Sequence, residues 1–180
     1  MSITLHTLGH SDRTLNEFLG LLNAAELHTI VDVRQQPYSS RHPHFGQDAL
    51  REALTSAGFE YHWAGRQLGG HRAAQAVSPH VALVEDGMRG FADYMGSEPF
   101  KKGAAQLLQL ASRAATAILC AEREPLKCHR SLIADYLTLQ GVTVMHLVDA
   151  LPAQAHLLRP EVRRESAELI YDRGVTAALL

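Results

Sequence analysis

The chain has 180 residues, 46% of them hydrophobic and 20% charged, the balance expected of one domain with a single buried core. Seventeen Lys and Arg against nineteen Asp and Glu leave a formal charge of −2, which excludes a polycationic surface for coating nucleic acid and makes any anion site local. No apolar run approaches the ~20 residues of a membrane span, the opening "MSITLHTLGHSDR" lacks a basic region followed by an apolar one, and two cysteines are too few for a disulfide framework, so a cytoplasmic protein with reduced thiols and no membrane partner is expected.

In chain order, "SITLHTLGH" (2–10) reads as a strand and "TLNEFLGLLNAAE" (14–26) as a helix, with Leu15, Phe18, Leu19 and Leu22 at helical spacing and Ser11 or Asp12 as its cap. "HTIVDVR" (28–34) is a second strand, "GQDALREALTSAG" (46–58) a helix ending at Gly58, and "FEYHWA" (59–64) a third strand. "GRQLGGHRAAQAVSP" (65–79) opens as a loop, and "FADYMG" (91–96) is a short helical piece. "EPFKKGAAQLLQLASRA" (98–114) is a helix that tolerates Pro99 in its first turn. "ATAILCAE" (115–122) is a fourth strand, "HRSLIADYLTLQG" (129–141) a helix and "VTVMHLV" (142–148) a fifth strand. The tail, residues 151–180, is expected to be helical, in "PEVRRESAELIYD" (160–172). Strands alternating with helices predict one three-layer α/β domain with a mostly parallel sheet of about five strands.

In such sheets the ligand crevice lies beyond the carboxyl ends of the strands. The segments that follow the first four strands are "GHSDR", "DVRQQPYSSRHPHF", "GRQLGGHR" and "CAEREPLKCHRS", the chemically richest in the chain. The segments that precede strands, "NAAEL", "TSAG" and "ASRAA", are bland. Four polar segments are therefore expected to converge on one edge of the sheet.

Cys120 ends the fourth strand and Cys128 precedes a helix N-terminus, where the helix field favours a thiolate. A Cys120, Cys128 and His129 zinc set is the metal alternative, but it lacks a fourth ligand and the C-x-x-C spacing; no metal or other cofactor is predicted. Cys128 is a candidate nucleophile or metal ligand, or simply a capping-region residue; Arg130 and Ser131, with His129, fit an anion site at the helix start. Glu122 and Asp32 are candidate acid, base or nucleophile carboxylates at the ends of adjacent strands, or partners of Arg34 or Arg123 in structural ion pairs. His10, after Gly9, is a candidate acid or base near neutral pH, or a hydrogen-bonded prop. In "PYSSRHPHF" (37–45), Tyr38, Arg41, His44 and Phe45 suit stacking on a base and holding its phosphate, unless Phe45 packs inward. Gly69 and Gly70, flanked by Arg66, His71 and Arg72, suit a lid or phosphate cradle.

"TLGHSDRTLNEFLGLL", "VDVRQQPYSSRHPHF", "LGG" and "CAEREPLKCHRSLIADYL" resemble, in order and spacing, the domain-of-unknown-function 488 family over roughly residues 3–150. The resemblance implies no particular activity. "VDVR" also resembles the corresponding strand of rhodanese-like domains, where an Asp-x-Arg pair closes structural hydrogen bonds; it implies a sulfur-transfer role for Cys120. Arg130, however, lies ten residues after Cys120, not about six as in rhodaneses and cysteine phosphatases. Three functions are carried forward. The first is an enzyme for a small anionic, nucleotide-like substrate, with Arg34, Arg41 and Arg130 on the anion and His10, Asp32, Glu122 or Cys120 in the chemistry. The second is a nucleic-acid binding or N-glycosidic base-processing protein that uses a local patch around Tyr38 and Phe45. The third is a rhodanese-like protein, either a thiol enzyme or a non-catalytic binding module.

Overall fold

The computed structural model describes residues 3–175. Strands β1 (Thr4–Gly9), β2 (Thr29–Asp32), β3 (Glu60–Trp63), β4 (Thr116–Cys120) and β5 (Thr143–Leu147) are parallel, and β6 (Gln154–Ala155) pairs antiparallel at one edge. The sheet order is β3-β2-β4-β1-β5-β6. Strands β2 and β4 are buried at every residue, which is why "TIVD" and "TAILC" read as almost unbroken apolar runs rather than alternating ones.

The helices are α1 (Leu15–Ala24), α2 (Gln47–Ser56), α3 (Gly65–Leu68), α4 (Asp86–Met95), α5 (Glu98–Ala111) and α6 (Arg130–Leu139). Two hydrophobic cores flank the sheet. Phe18, Leu22, Leu50 and Leu54 of α1 and α2 pack with Leu8, Ile30 and Leu119 on one face, whereas Phe91, Phe100, Leu107, Leu132 and Ile133 of α4, α5 and α6 pack with Leu5, Val31 and Ile118 on the other. The order explains the division: β1→β2→β3 steps one way across the sheet and β3→β4→β5 returns. With every crossover right-handed, a reversal of direction moves the helices to the opposite face. The chain therefore diverges to different faces after the neighbouring strands β1 and β4, and a crevice opens between them.

Four local expectations are corrected. Thr14, not Ser11 or Asp12, caps α1: its hydroxyl accepts from the Glu17 N–H, while the Glu17 carboxylate accepts from the Thr14 N–H at 2.7 Å, the reciprocal capping box. Ser11 instead takes a left-handed turn, φ 53°. The stretch after β3 starts with one helical turn, α3, and "FADYMG" is the second half of α4. The tail is not helical at 160–172: strands β7 (Val162–Glu165) and β8 (Glu168–Tyr171) form an antiparallel hairpin, turning at Ser166 with φ 54°. Tertiary contacts override the local pattern there, because Val162 and Tyr171 join the α6 core and the Tyr171 hydroxyl donates to the buried Asp135 carboxylate at 3.0 Å.

Candidate functional site

The crevice at the β1/β4 divergence is a cleft of about 400 Å³, lined by His10, Arg34, Tyr38, Gly70, Cys120, Glu122, Lys127, Cys128 and His129 among others. Three close approaches shape it. Gly9 lies against the backbone after β4, where an added Cβ would stand 1.7 Å from the Glu122 carbonyl oxygen. The fully buried Arg130 donates to the carbonyls of Glu122 at 2.6 Å and Arg123 at 2.8 Å, tying the loop after β4 to the start of α6. Gly70 lies against the His129 ring, where a Cβ would meet Nδ1 at 2.6 Å.

These contacts bring the two cysteines and His129 together on the buried floor of the cleft. His129 Nδ1 is 3.9 Å from Cys120 Sγ and 3.6 Å from Cys128 Sγ, and the three donor atoms lie within 4.8 Å of one another. His129 Nε2 is 2.9 Å from the Leu68 carbonyl oxygen. A carbonyl only accepts, so Nε2 carries a hydrogen, and in the neutral ring Nδ1 turns its lone pair to the sulfurs. The ring is held further by Phe91, edge-on at a centroid distance of 4.9 Å.

The thiols are unequal. The hydrogen bond to Cys128 and burial push the Cys120 thiol well up. Burial also pushes the Cys128 thiol up, but hydrogen bonding from Cys120, the Arg130 charge and the Arg130 N–H outweigh it and bring it down to about 7. The more acidic thiol is thus the one at the helix start, not the strand-end cysteine to which the rhodanese-like resemblance assigned sulfur transfer.

The other carboxylate, arginine and aromatic candidates divide. Asp32 is fully buried and saturated: Arg34 donates through Nε at 2.8 Å and Nη2 at 2.5 Å, the Arg34 N–H at 3.1 Å and the Tyr61 hydroxyl at 2.8 Å. It does not line the cleft, and it makes no pair with Glu122. In register Asp32 stands beside Leu119, so the pleat points it to the α1/α2 face while Cys120 points to the other. Glu122 is exposed on the cleft wall. The Arg34 guanidinium also donates to the Phe45 carbonyl at 2.8 Å, so Arg34 and Arg130 are both committed to protein acceptors. Ser131 is buried, its hydroxyl donating to the Cys128 carbonyl at 2.9 Å. Phe45 is fully buried and stacks on His10 at 4.3 Å, and burial lowers His10 to a pKa of about 4. His44 bonds the Arg13 carbonyl at 3.0 Å, away from the cleft. Gly69 packs against the Gly65 carbonyl and Gln35. Tyr38 is exposed at the mouth, and Arg41 lies in a shallow groove continuous with the cleft, sharing Tyr38 and Glu122 with it and adding His42 and Arg123.

Sequence reasoning missed Lys127, Glu85 and Gln35 on the cleft wall, whereas His71, expected to flank a glycine cradle, does line it. The grouping of His129 with the two sulfurs is the metal alternative of the sequence, disfavoured there for want of a fourth ligand; the Leu68 carbonyl that orients the ring was not foreseeable.

A doubly wound α/β protein with a thiol- and imidazole-floored cleft at its switch point is the class that fold and site define. The chain belongs to the family described as domain of unknown function DUF488, whose family model matches residues 14–137, a span that includes all three floor residues. No curated protein and no solved structure matches the chain. Among the described residues no helix is long and apolar enough to cross a membrane.

Proposed function

We propose that the protein is an enzyme that takes a small, nucleotide-like substrate with an anionic group into the cleft, with Cys120, Cys128 and His129 as the reacting centre. The observation that carries this reading is the convergence of those three donor atoms on the floor of a cleft at the topological switch point, where α/β folds bind ligands. Lys127 supplies a cation on the wall. Gln35 offers a buried amide oxygen without a partner, an acceptor suited to a substrate N–H or O–H. Glu122 is the acid or base within reach of the same space. Tyr38, 80% exposed at the mouth, offers a ring face to a base.

The base-processing reading is favoured by one further observation: the groove that continues past Tyr38 to Arg41, His42 and Arg123 suits a strand longer than one nucleotide. Phe45 is withdrawn from that role by its burial. Thermal-shift titration with a nucleoside monophosphate, inorganic phosphate and a single-stranded oligonucleotide separates the two. A shift with the monophosphate that is abolished by Lys127→Ala and Tyr38→Ala supports the small-substrate enzyme. Binding of the oligonucleotide alone, weakening steeply with salt, would replace it with the strand-processing reading, and no response to any of the three would remove both in favour of a non-catalytic module.

A further inference from the structure

We propose that Cys120 Sγ, Cys128 Sγ and His129 Nδ1 are three ligands of one zinc ion whose fourth position opens into the cleft. The inference deepens the enzyme reading above, and rests on it only for what occupies that fourth position.

Three independent features of geometry carry it. In a tetrahedral zinc site with Zn–S and Zn–N bonds near their usual lengths, a sulfur and a nitrogen ligand stand about 3.6 Å apart. His129 Nδ1 stands 3.6 Å from one sulfur and 3.9 Å from the other, so both sulfur–nitrogen edges are close to that spacing, and all three donors lie within 4.8 Å of one another. The second feature is the outer partner. A histidine ligand almost always donates its other N–H to an acceptor that fixes its tautomer, and His129 Nε2 does this to Leu68 O. Gly70 and Phe91 then hold the ring in plane. A histidine that merely packs does not need its bare nitrogen aimed between two sulfurs. The third feature is access: all three residues line the cleft, which provides an entry path, and among the described residues no further His, Cys, Asp or Glu is placed to complete the set.

Two thiolates and an imidazole select a borderline-soft divalent ion such as zinc over magnesium or calcium. Binding releases each thiol proton still present to solvent, and two thiolates neutralise the ion, so the loaded floor carries no net charge. An ion with three protein ligands and one open position is the catalytic rather than the structural arrangement of zinc. There it lowers the pKa of a bound water or polarises a substrate oxygen.

The test uses the whole chain, reduced and then freed of metal. Co2+ is titrated in as the spectroscopic probe, with Zn2+ as competitor. The expected result is one Co2+ per chain, with a thiolate charge-transfer band and the intense visible bands of tetrahedral cobalt, both bleached by Zn2+. Cys120→Ser and Cys128→Ser, which keep size and shape, should each lose the charge-transfer intensity. Zn2+ should also protect both thiols of the unmutated protein from iodoacetamide, a readout that needs no variant to fold. Uptake of no Co2+ by reduced protein, octahedral spectra without the charge-transfer band, or unchanged alkylation in Zn2+ would each overturn the proposal. Tetrahedral binding in a protein that responds to no substrate-like anion leaves the metal site and removes the enzyme. Anion binding in a protein that takes up no metal does the reverse.

Discussion

Asp32 shows how a residue can have the right chemistry in the right segment and yet serve architecture. Its four hydrogen bonds join the ends of β2 and β3 to the Phe45 segment through Arg34 and Tyr61. Asp32→Asn keeps the shape but strips the charge from a buried pair; breaking such pairs costs about 3–5 kcal/mol. A drop of that size in the free energy of unfolding, measured in urea, is expected, and an unchanged midpoint would return Asp32 to the list of candidate reacting groups. Gly70 is the opposite case, a residue without chemistry on which the site depends. Gly70→Ala forces the His129 ring to move, and outer-shell changes of this kind weaken metal binding about 10–100-fold. Co2+ affinity should fall by that much while the fold, followed by circular dichroism, persists. The sequence displayed the carboxylate at 32 and the glycine pair at 69 and 70. It concealed the parity of the pleat that separates Asp32 from the cleft, and the close contact that makes Gly70 matter.

Among the elements, β4, α6 and the loop between them form the unit that builds the floor. Its tie is Arg130, whose two donations to loop carbonyls close the gap between strand end and helix start. Lysine at this position offers a single ammonium in place of a planar fork. Arg130→Lys should therefore leave one partly buried carbonyl without its donor, at a cost of about 1 kcal/mol, visible as a lower thermal midpoint and faster amide exchange at Glu122 and Arg123. The regular elements of this unit were legible: an apolar run ending in Cys120 and a periodic segment stopping before Gly141. The loop was not, because "AEREPLKCH" has no periodicity, and its shape is set by a guanidinium eight residues along the chain and by contact with Gly9. The tail failed for a related reason. "PEVRRESAELIYD" contains good helix formers, and contacts with α6, with α4 and with the segment at His80 and Ala82 select the hairpin.

For the whole molecule, the α/β class and the parallel order followed from alternation alone, and the switch-point rule located the cleft. Composition gave no hint of the buried polar chain that fastens residues 154–171 to the α6 face of the sheet. In it Thr7 Oγ1 meets His146 Nδ1 at 2.7 Å, His146 Nε2 meets His156 Nδ1 at 2.8 Å, and His156 Nε2 meets Asp135 at 2.8 Å, with Tyr171 on the other Asp135 oxygen. Burial first, and then His156 and Arg130, lower His146 from 6.5 to about 4; the Asp135 carboxylate faces it through His156. The unfolded chain therefore binds a proton at His146 before the folded one does. Stability from this group is complete above pH 6.5 and is lost as pH falls toward 4. Thermal midpoints should decline across that window, and less steeply in His146→Gln; an equal slope in both would place the acid sensitivity elsewhere.

The three sulfur and nitrogen donors of the cleft floor come from one short stretch of chain, so the loop that gathers them closes at little entropic cost. The carbonyl that gives His129 its tautomer comes from Leu68, 61 positions away. The donors are thus local, but their direction is borrowed from a distant segment. A chain in which Leu68, at the end of α3, has not reached His129, at the start of α6, would hold the right atoms without the right aim, so this one contact between distant segments also arms the site.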